Sequence, residues 1–513
     1  RSIEGPIMWS TWHEVRDRAK KVTQAIRRLG VRPGDVIGAM AWNTTRHMEI
    51  WYGIPGAGGV LHTLNPRLSG EQLIYIINHA EDQWIFIDHD LVGVLEPIAD
   101  ALTTVRGFIV MTDREHMPET SLPNVLCYED VVEAEDGDTG WEPVEESAAC
   151  GICYTSGTTG HPKGVVYSHR SNVLHAMAMI QPDMFSLGSN DWMMPVVPLF
   201  HANGWSTGYS GPMAGATMVL PGRLMDPVSL YEMLDLGVTV TAAVPTVWLP
   251  LLAYLKETGK MLPHLERVVI GGSSCPRAVI EAFQNVYDVR VLHAWGMTET
   301  SPLGSFCTMK PEVARLAPDE QIEVQLKVGH PPFTVDLEIR DEENHILPWD
   351  DETQGRLMIK GPGVVGRYLK QDQDTIDSGG WFDTGDAATI DEHGYVRITD
   401  RLKDVIKSGG EWISSIEMEN AAVSHPDIFE AAAVAMPHPK WDERPVLIVV
   451  PHAGKTPDPE SILALLRPHF AKWQLPDEIL FRDAIPHTAT GKISKLKLRE
   501  ELNGEGYALP DQR

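Results

Sequence analysis

The sequence predicts an α/β protein with a large N-terminal domain and a small α+β C-terminal domain. Over about the first 300 residues, β-rich apolar segments alternate with amphipathic helical segments. Strands separated by helices are typical of parallel sheets built from βαβ units. The clearest such strands are predicted at residues 35–42, 83–90, 267–274 and 289–296. We therefore expect the N-terminal domain to consist of βαβ-type subdomains.

The pattern changes twice towards the C-terminus. After about Gly329 the chain has short strands with tight turns, such as "TVDLEIRD", "GRLMIKG" and "DEHGYVRITD". These segments favour a small part that is either β-barrel-like or an antiparallel sheet. From about Leu402 the pattern is mixed α+β and ends in the lysine-rich stretch "GKISKLKLRE". We place the domain boundary between residues 401 and 402.

Size and charge limit the function classes. The chain has 513 residues, which is more than one hydrophobic core normally organises. It carries 71 acidic and 43 basic residues, for a formal net charge of −28. So acidic a surface repels phosphate backbones, which argues against a nucleic-acid partner.

Membrane and secretory features are not expected. The N-terminal stretch has no apolar core of a signal peptide, although it also does not begin with Met. Residues 236–255 are apolar enough to resemble a membrane span, but Pro245 and Pro250 argue against one. We interpret the stretch as a strand over residues 238–244 followed by a short buried helix.

Cysteine usage points to a reducing compartment, so we expect a cytoplasmic protein. The five cysteines are sparse and odd in number. Cys150 and Cys153 form a C-x-x-C pair, but the pair lies in an apolar run that predicts a strand. A redox or metal role for this pair is the less favoured alternative because no second pair exists for zinc.

The stretch "TSGTTGHPKG" at residues 155–164 predicts an anion-binding loop. It follows a buried strand and contains three glycines, four hydroxyl residues, one lysine and no acid. Glycines let backbone N–H groups approach a ligand, and the lysine adds a positive charge. The best-matching ligand is a polyphosphate, and a surface linker is the alternative. The Walker A pattern does not fit these residues.

Three further stretches contain candidate ligand-binding residues. In "HAWGMTETSP", Glu299 can hold Mg²⁺, which prefers oxygen ligands and substrate phosphates. In "GWFDTGD", Asp386 can pair with ribose hydroxyls, and Arg401, Lys403 and Lys407 follow shortly after. In "HTATGKISK", Lys492 follows a glycine. Other enzyme motifs fail, because "GGSSC" lacks the last glycine of a nucleophile elbow and H-E-x-x-H does not occur.

In their order along the chain, these motifs resemble the adenylate-forming superfamily, which contains acyl-CoA synthetases, peptide-synthetase adenylation domains and beetle luciferases. The motifs are "YTSGTTGHPKG", "AWGMTETSP", "GWFDTGD", "DRLKDVIKSGGEWIS" and "TGKISK". Within the superfamily the chain is most similar to medium- and long-chain fatty-acyl-CoA synthetases and to ligases of 3-methylmercaptopropionate.

The resemblance implies roles for individual residues. Lys492, Glu299 and Thr298 would be catalytic, and Thr155 and Glu299 would hold Mg²⁺. Lys403 would be the hinge of a mobile C-terminal domain. The implied ATP site comprises Thr155, Ser156, Gly157, Thr158, Thr159, Gly160, Lys163, Gly272, Ala294, Trp295, Thr298, Asp386, Arg401, Lys403, Lys407, Trp412 and Lys492. The implied acyl pocket comprises His201, Trp205, Gly272 and Gly296, and the implied CoA tunnel comprises Gly409, Gly410 and Trp412.

The implied activity is that of an AMP-forming acyl-CoA ligase that uses ATP, Mg²⁺ and coenzyme A. Acetate-activating relatives carry Trp where this chain has Gly296, so acetate is expected to fit poorly. A medium-chain fatty acid or a methylthio-alkanoate is the expected substrate. An adenylation enzyme that loads a carrier protein is the alternative, and a binding protein that has lost catalysis is a second one. A homodimer is left open.

Overall fold

The computed structural model describes residues 1–155, 161–409, 411–487 and 493–509, apart from the side chains of Asn203 and Glu411. The described chain forms two compact units. One unit comprises Arg1–Asp336 and Ile359–Phe382, and the other comprises Leu337–Met358 and Asp383–Arg513. The chain is thus a mixed α/β protein with several sheets, as predicted. The division expected between residues 401 and 402 stays a prediction.

The first sheet of the larger unit has the strand order β5-β4-β3-β1-β2-β6-β7. Its strands are β1 (Val36–Met40), β2 (Val60–Thr63), β3 (Trp84–Ile87), β4 (Gly107–Val110), β5 (Val125–Cys127), β6 (Ala149–Tyr154) and β7 (Gly164–Ser168). All neighbours are parallel except β6 and β7, which form an antiparallel pair.

The second sheet has the order β13-β12-β11-β10-β8-β9. Its strands are β8 (Trp192–Pro195), β9 (Thr217–Met218), β10 (Val240–Ala243), β11 (Arg267–Gly271), β12 (Arg290–Gly296) and β13 (Leu303–Phe306). Only the last pair, β12 and β13, is antiparallel.

Both sheets are covered on their two faces, which explains their almost continuous apolar strands. In β3, Trp84 and Phe86 pack into one core cluster, whereas Ile85 and Ile87 pack into another. In β11, Val268 and Ile270 lie on the opposite face from Val269.

The smaller unit contains the remaining strands. They are β14 (Asp336–Arg340), β15 (Gly355–Lys360), β16 (Phe382–Ile390), β17 (Val396–Arg401), β18 (Ile406–Ser408), β19 (Glu411–Ile413), β20 (Ile428–His438), β21 (Asp442–Pro451) and β22 (Glu478–Phe481), some of whose end residues belong to the larger unit. The first four, in chain order, form the sheet at the position of the predicted barrel-like part. The others form a sheet in the order β19-β18-β21-β20, with β22 beside β21.

Helices connect and cover these sheets. They are α1 (Trp12–Arg28), α2 (Thr45–Gly56), α3 (Gly70–Ala80), α4 (Val92–Leu95), α5 (Tyr128–Glu133), α6 (His169–Met179), α7 (Thr207–Ala214), α8 (Pro227–Leu234), α9 (Pro245–Thr258), α10 (Arg277–Glu281), α11 (Pro318–Gln325), α12 (Ser415–Val423), α13 (Pro459–Leu466) and α14 (Lys495–Gly504). Short 3-10 helices lie at His89–Leu91, Glu96–Ala101, Ala202–Ser206, Thr298–Thr300 and Val313–Arg315, and a π-helical turn lies at Ala282–Val286.

The apolar stretch at residues 236–255 forms a strand followed by a helix, as predicted, although the helix is longer than expected, runs to Thr258 and is buried on one face only. It forms β10 and then enters α9, with Pro245 at the first turn of the helix. Within the ranges described, no helix combines the length and the apolar character that a bilayer crossing requires.

All five cysteines are buried and unbridged. Cys150 and Cys153 lie in β6, the strand predicted for them. Asn172 Nδ2 donates to Cys150 Sγ at 3.0 Å, and burial raises the pKa of this thiol to about 11.

Candidate functional site

The anion-binding loop connects β6 and β7 at one edge of the first sheet. Its base is closed by two hydrogen bonds, because Thr155 N donates to Lys163 O at 2.9 Å and Lys163 N donates to Thr155 Oγ1 at 3.3 Å. Tyr154 and Gly164 are opposite each other in the strand pair that precedes this closure. The predicted ligands Ser156, Gly157, Thr158, Thr159 and Gly160 lie outside the described residues.

Glu299 and Lys163 both contact Tyr368, a residue that no sequence motif predicted. The Tyr368 hydroxyl donates to Glu299 Oε1 at 2.7 Å. Lys163 Nζ lies 4.8 Å from the centroid of the Tyr368 ring, within cation–π distance. Burial and the Glu299 carboxylate raise the pKa of the phenol, so Tyr368 remains a hydrogen-bond donor at neutral pH. The structure thus brings the predicted metal ligand and the loop lysine together.

Backbone contacts hold the Glu299 turn in place. Glu299 is only 8% exposed, and its carbonyl accepts from Val365 N at 2.8 Å. The neighbouring Thr298 carbonyl accepts from the Tyr167 hydroxyl at 2.7 Å, and Tyr167 belongs to β7. The loop strand and the Glu299 turn are therefore parts of one bonded assembly.

The carboxyl ends of the parallel strands in the second sheet provide the next group of candidates. Gly272 follows β11 with φ +81°, and Ala294 lies in β12 beside it. The Trp205 ring lies against this end, since a Cβ added at Gly271 would be 3.2 Å from its Cη2. In open α/β sheets, this edge is where ligands normally bind. Trp205, Gly272 and Ala294 are thus brought to one edge, and His201 begins the turn that carries Trp205.

Trp295 and Gly296 lie where β12 pairs with β13, and a register shift separates them. Trp295 is 8% exposed, and its ring covers Gly304 so closely that a Cβ there would lie 2.5 Å from Cζ3. At Gly296 an added Cβ would lie 2.0 Å from Pro302 O. Backbone crowding therefore requires glycine at position 296, independently of any acyl group. Its role in an acyl pocket stays a prediction.

In the smaller unit, the structure pairs two predicted groups of residues. Asp386 and Arg401 are opposite each other in β16 and β17, with Arg401 Nε 2.9 Å from Asp386 Oδ1. Lys407 and Trp412 are opposite each other in β18 and β19, with Nζ 5.9 Å from the ring. Lys403 is exposed in the turn between these two strand pairs.

The remaining predicted site residues are Gly409, Gly410 and Lys492. Gly409 adopts φ +64°, and a Cβ there would lie 3.1 Å from the Trp441 ring. Gly409 N also donates to Trp441 O at 2.8 Å. Gly410 and Lys492 lie outside the described residues.

A partly buried ionic cluster, which no sequence motif predicted, surrounds the turn at Lys403. Lys495 Nζ lies 2.7 Å from Glu419 Oε1 and also contacts Ser415, whose N–H donates to Asp400 Oδ2 at 2.6 Å. One helical turn later, Arg499 Nη2 lies 2.8 Å from Asp404 Oδ1. Lys495 and Arg499 are four residues apart in α14. This spacing is the signal in the sequence from which the cluster could have been predicted.

Comparison with known proteins gives a consistent result. The family model described as AMP-binding enzyme matches residues 3–369, and the model described as AMP-binding enzyme C-terminal domain matches residues 417–492. A 3-methylmercaptopropionyl-CoA ligase from Ruegeria lacuscaerulensis is 45% identical over 500 residues, covering 97% of this chain and 93% of the relative. A medium-chain-fatty-acid–CoA ligase from Ectopseudomonas oleovorans is 44% identical, covering 97% and 91%.

The fold comparison agrees with the sequence comparison. The crystal structure of ATP-bound MatB from Rhodopseudomonas palustris is similar with a TM-score of 0.81 and 25% identity. The similarity covers 96% of this chain and 93% of that one. Because the first model spans well over half of the sequence, the chain belongs to the AMP-binding enzyme family.

Proposed function

We propose that the protein is an AMP-forming acyl-CoA ligase, which converts a carboxylic acid, ATP and CoA into acyl-CoA, AMP and pyrophosphate. The observation that carries the proposal is the contact of Lys163 and Glu299 with Tyr368 at the base of the loop. A cation and a buried carboxylate that share one neighbour support binding of a polyphosphate together with its metal. The relatives named as CoA ligases cover nearly the whole chain and add support.

The donor set fits Mg²⁺–ATP. Mg²⁺ usually binds one or two protein oxygens together with substrate phosphates. In the proposed arrangement, Glu299 and Thr155 hold the ion, and Lys163 with the loop amides holds the β- and γ-phosphates. Bound Mg²⁺ supplies charge neutralisation for the leaving pyrophosphate. Thr298 contacts the α-phosphate, Trp295 with Gly272 and Ala294 lines the base, and Asp386 with Arg401 binds the ribose.

The first half-reaction joins two anions. A carboxylate oxygen attacks the α-phosphorus of ATP, the bond to pyrophosphate breaks, and an acyl adenylate forms. We assign Lys492 to bridge the carboxylate and the α-phosphate, because a fixed cation lowers the cost of bringing two negative groups together.

The second half-reaction transfers the acyl group to CoA. The thiol sulfur attacks the acyl carbon, and the bond to AMP breaks. We propose that residues 402–513 turn about Lys403 between the two steps, so that Lys492 leaves and Gly409, Gly410 and Trp412 border the pantetheine. Such gating also limits hydrolysis of the adenylate.

The proposed acid is a medium-chain fatty acid or a methylthio-alkanoate such as 3-methylmercaptopropionate. His201, Trp205, Gly272 and Gly296 form the proposed acyl pocket. Trp205 is 5% exposed and packs against the end of β11, a position from which its ring can limit the depth of a pocket. Loading of a carrier protein is the alternative function.

One screen tests the proposal. Acids from C2 to C16, together with methylthio acids, are assayed for AMP release with and without CoA. We expect CoA-dependent AMP release and an acyl-CoA product with a C4–C10 or methylthio acid. Adenylate formation without transfer to CoA would favour the carrier-protein alternative, and no AMP release with any acid would contradict both.

Lys492→Ala tests the two-step assignment. We expect it to abolish adenylate formation while thioester formation from supplied acyl adenylate stays close to the wild-type rate. Equal loss of both half-reactions would contradict the assignment of Lys492 to the first step.

A further inference from the structure

A stack of three rings lies against the described part of the anion-binding loop. Tyr75, on α3, lies between His161 of the loop and His79 of its own helix. The Tyr75 and His161 ring centroids are 4.4 Å apart with an interplanar angle of 21°, and those of Tyr75 and His79 are 5.2 Å apart with an angle of 16°. Tyr75 and His79 are one helical turn apart, so one face of α3 presents both rings.

The same stack reaches the start of the loop. His79 Nδ1 and the Tyr154 hydroxyl are hydrogen-bonded at 2.7 Å. Tyr154 ends β6 and immediately precedes Thr155. Its ring also lies across Gly164, where a Cβ would be 3.1 Å from Cζ. Helix α3 therefore contacts the loop both before Thr155 and before Lys163.

The stack rests on a fixed base in the sheet. The His62 ring lies 5.0 Å from that of Tyr154, and His62 Nδ1 is 3.0 Å from both oxygens of Asp82. His62 and Asp82 are completely buried, so this pair cannot exchange its hydrogen bonds for water. The loop is thereby connected to the core of the first sheet.

The end of α3 also contacts the segment that carries Tyr368. Lys370 Nζ forms an ion pair with Glu81, the residue that ends the helix. Leu369 N donates to Gly164 O at 2.8 Å. One helix end thus joins the loop to the segment whose tyrosine binds Glu299.

We propose that Tyr75 and His79 are positioning residues for ATP, which set the loop through His161 and Tyr154. The inference rests on the proposed function, because ATP is the ligand assigned to the loop. Neither residue touches the reacting atoms. Their effect is to fix Tyr154 and His161, on the two sides of the ATP-binding stretch, before ATP arrives, so that less conformational freedom of these two residues is lost on binding. The affected quantity is the KM for ATP in adenylate formation.

The test uses the full-length protein and measures each half-reaction. An aromatic pair contributes a factor of about 2 to 12 in an equilibrium constant. We therefore expect Tyr75→Leu to raise the KM for ATP about fivefold, with thioester formation from supplied acyl adenylate unchanged. Tyr75→Phe keeps the ring stack and should therefore have the same KM for ATP as the wild type.

The partner residue and a control keep the test independent of folding. His161→Leu should also raise the KM for ATP, and the double variant should be no worse than Tyr75→Leu alone, because Tyr75→Leu already removes the one contact that His161→Leu removes. Tyr231→Leu is the matched control: a half-buried helical tyrosine whose ring makes an edge-to-face contact with that of Tyr254 in a different part of the larger unit. It should leave the KM for ATP unchanged.

The outcomes separate this inference from the proposed function. If the wild type releases AMP but Tyr75→Leu and His161→Leu keep its KM for ATP, the positioning role is wrong and the proposed function stands. The positioning role is also wrong if the two effects multiply in the double variant. If the wild type itself makes no adenylate, the proposed function fails first.

Discussion

Tyr368 shows how a single side chain can connect two parts of a site. Its hydroxyl binds Glu299 and its ring faces Lys163, so the carboxylate and the cation share a neighbour without neutralising each other directly. Glu299 is nearly buried, and a buried carboxylate needs hydrogen bonds to keep its position. The phenol supplies one.

Removing the Tyr368 hydroxyl should increase the Mg²⁺ concentration that the adenylation step requires. In Tyr368→Phe the ring remains and the hydrogen bond to Glu299 is lost. Hydrogen bonds to charged groups contribute about 1.5–3 kcal/mol, so the Mg²⁺ concentration for half-maximal pyrophosphate release should rise about tenfold. Magnesium titration of the adenylation step measures it.

Tyr507→Phe serves as the control for this change. It removes another tyrosine hydroxyl that donates to a glutamate, Glu478, at 2.6 Å in the smaller unit. The Mg²⁺ requirement should not move. An unchanged Mg²⁺ requirement in Tyr368→Phe would mean that Tyr368 does not position the carboxylate for the ion.

Gly296 illustrates a residue whose identity is set by the backbone. Because an added Cβ would lie 2.0 Å from Pro302 O, Gly296→Ala must displace the chain where β12 meets β13. We expect a loss of about 1–3 kcal/mol in the free energy of unfolding of the larger unit. Urea denaturation followed by tryptophan fluorescence measures it.

Gly93→Ala provides the comparison. Gly93 lies in α4, and an added Cβ would meet nothing within 4 Å, so alanine should be neutral or slightly stabilising there. If Gly296→Ala unfolds at the same urea concentration as Gly93→Ala, the crowding described at position 296 is wrong.

At the residue scale, sequence motifs located the candidate ligand-binding groups better than the groups that support them. Thr155, Lys163, Thr298 and Glu299 stand in short motifs with recognisable chemistry. Tyr368 stands in no such motif and reaches Glu299 from 69 residues away. Contacts of this kind depend on which strands become neighbours, which a local pattern does not encode.

At the scale of elements, α14 joins the chain end to the turn at Lys403. Its first residue, Lys495, is held by Glu419 and Ser415, and Arg499 is held by Asp404. Burial raises the pKa of Glu419, whereas the neighbouring carboxylates raise the pKa of Lys495 despite its burial. The pair therefore depends on both partners being present.

Replacing Lys495 should destabilise the smaller unit. Loss of one partner from a buried ion pair typically costs about 3–5 kcal/mol, and we expect Lys495→Met to approach the lower value. Lys497→Met, which removes an exposed lysine from the same helix, should cost less than about 0.5 kcal/mol. Limited proteolysis measures the difference in stability between the two variants, from the rate of cleavage within residues 383–513. Equal resistance of the two variants would contradict a structural role for Lys495.

Elements were predicted well where the apolar pattern was strong. The strands expected at residues 35–42, 83–90, 267–274 and 289–296 form as β1, β3, β11 and β12, each shorter than its sequence pattern. The shortening has no common cause: β3 stops before the polar stretch that begins at Asp88, β11 stops before Gly272, and β12 lacks only Val289 at its start. The direction of β13 was not predictable, since it depends on a turn built around Pro302.

For the whole molecule, two buried histidines connect stability to pH. His47 donates from Nδ1 to Trp42 O at 3.0 Å, and His175 Nε2 accepts from Leu303 N at 3.1 Å. Their remaining ring nitrogens are buried without a partner among the described residues. Burial lowers the pKa of each to about 4, so both are neutral in the folded protein at pH 7.

The protein should therefore lose stability as the pH falls from about 6.5 towards 4. In this range the unfolded chain binds protons at these histidines and the folded chain does not. Each contributes a loss of up to about 3 kcal/mol. Denaturation at pH 7.5, 6 and 5 measures the slope of the unfolding free energy.

His47→Phe should make this slope shallower while lowering stability at pH 7 by about 1 kcal/mol through the lost hydrogen bond. His13→Gln, at an exposed position of the larger unit, should leave the slope unchanged. A slope that His47→Phe does not alter would show that acid acts on other groups.

The buried cysteines have a practical consequence for spectroscopy. Burial raises the pKa of Cys150 to about 11 and that of Cys275 higher still, and all five native thiols are shielded from solvent. Maleimide dyes react with exposed thiolates. Cysteines introduced at two exposed positions, one in each unit, should therefore take up a donor and an acceptor dye without removal of any native cysteine. Energy transfer between the dyes during turnover would then test, in single molecules, the turn proposed about Lys403.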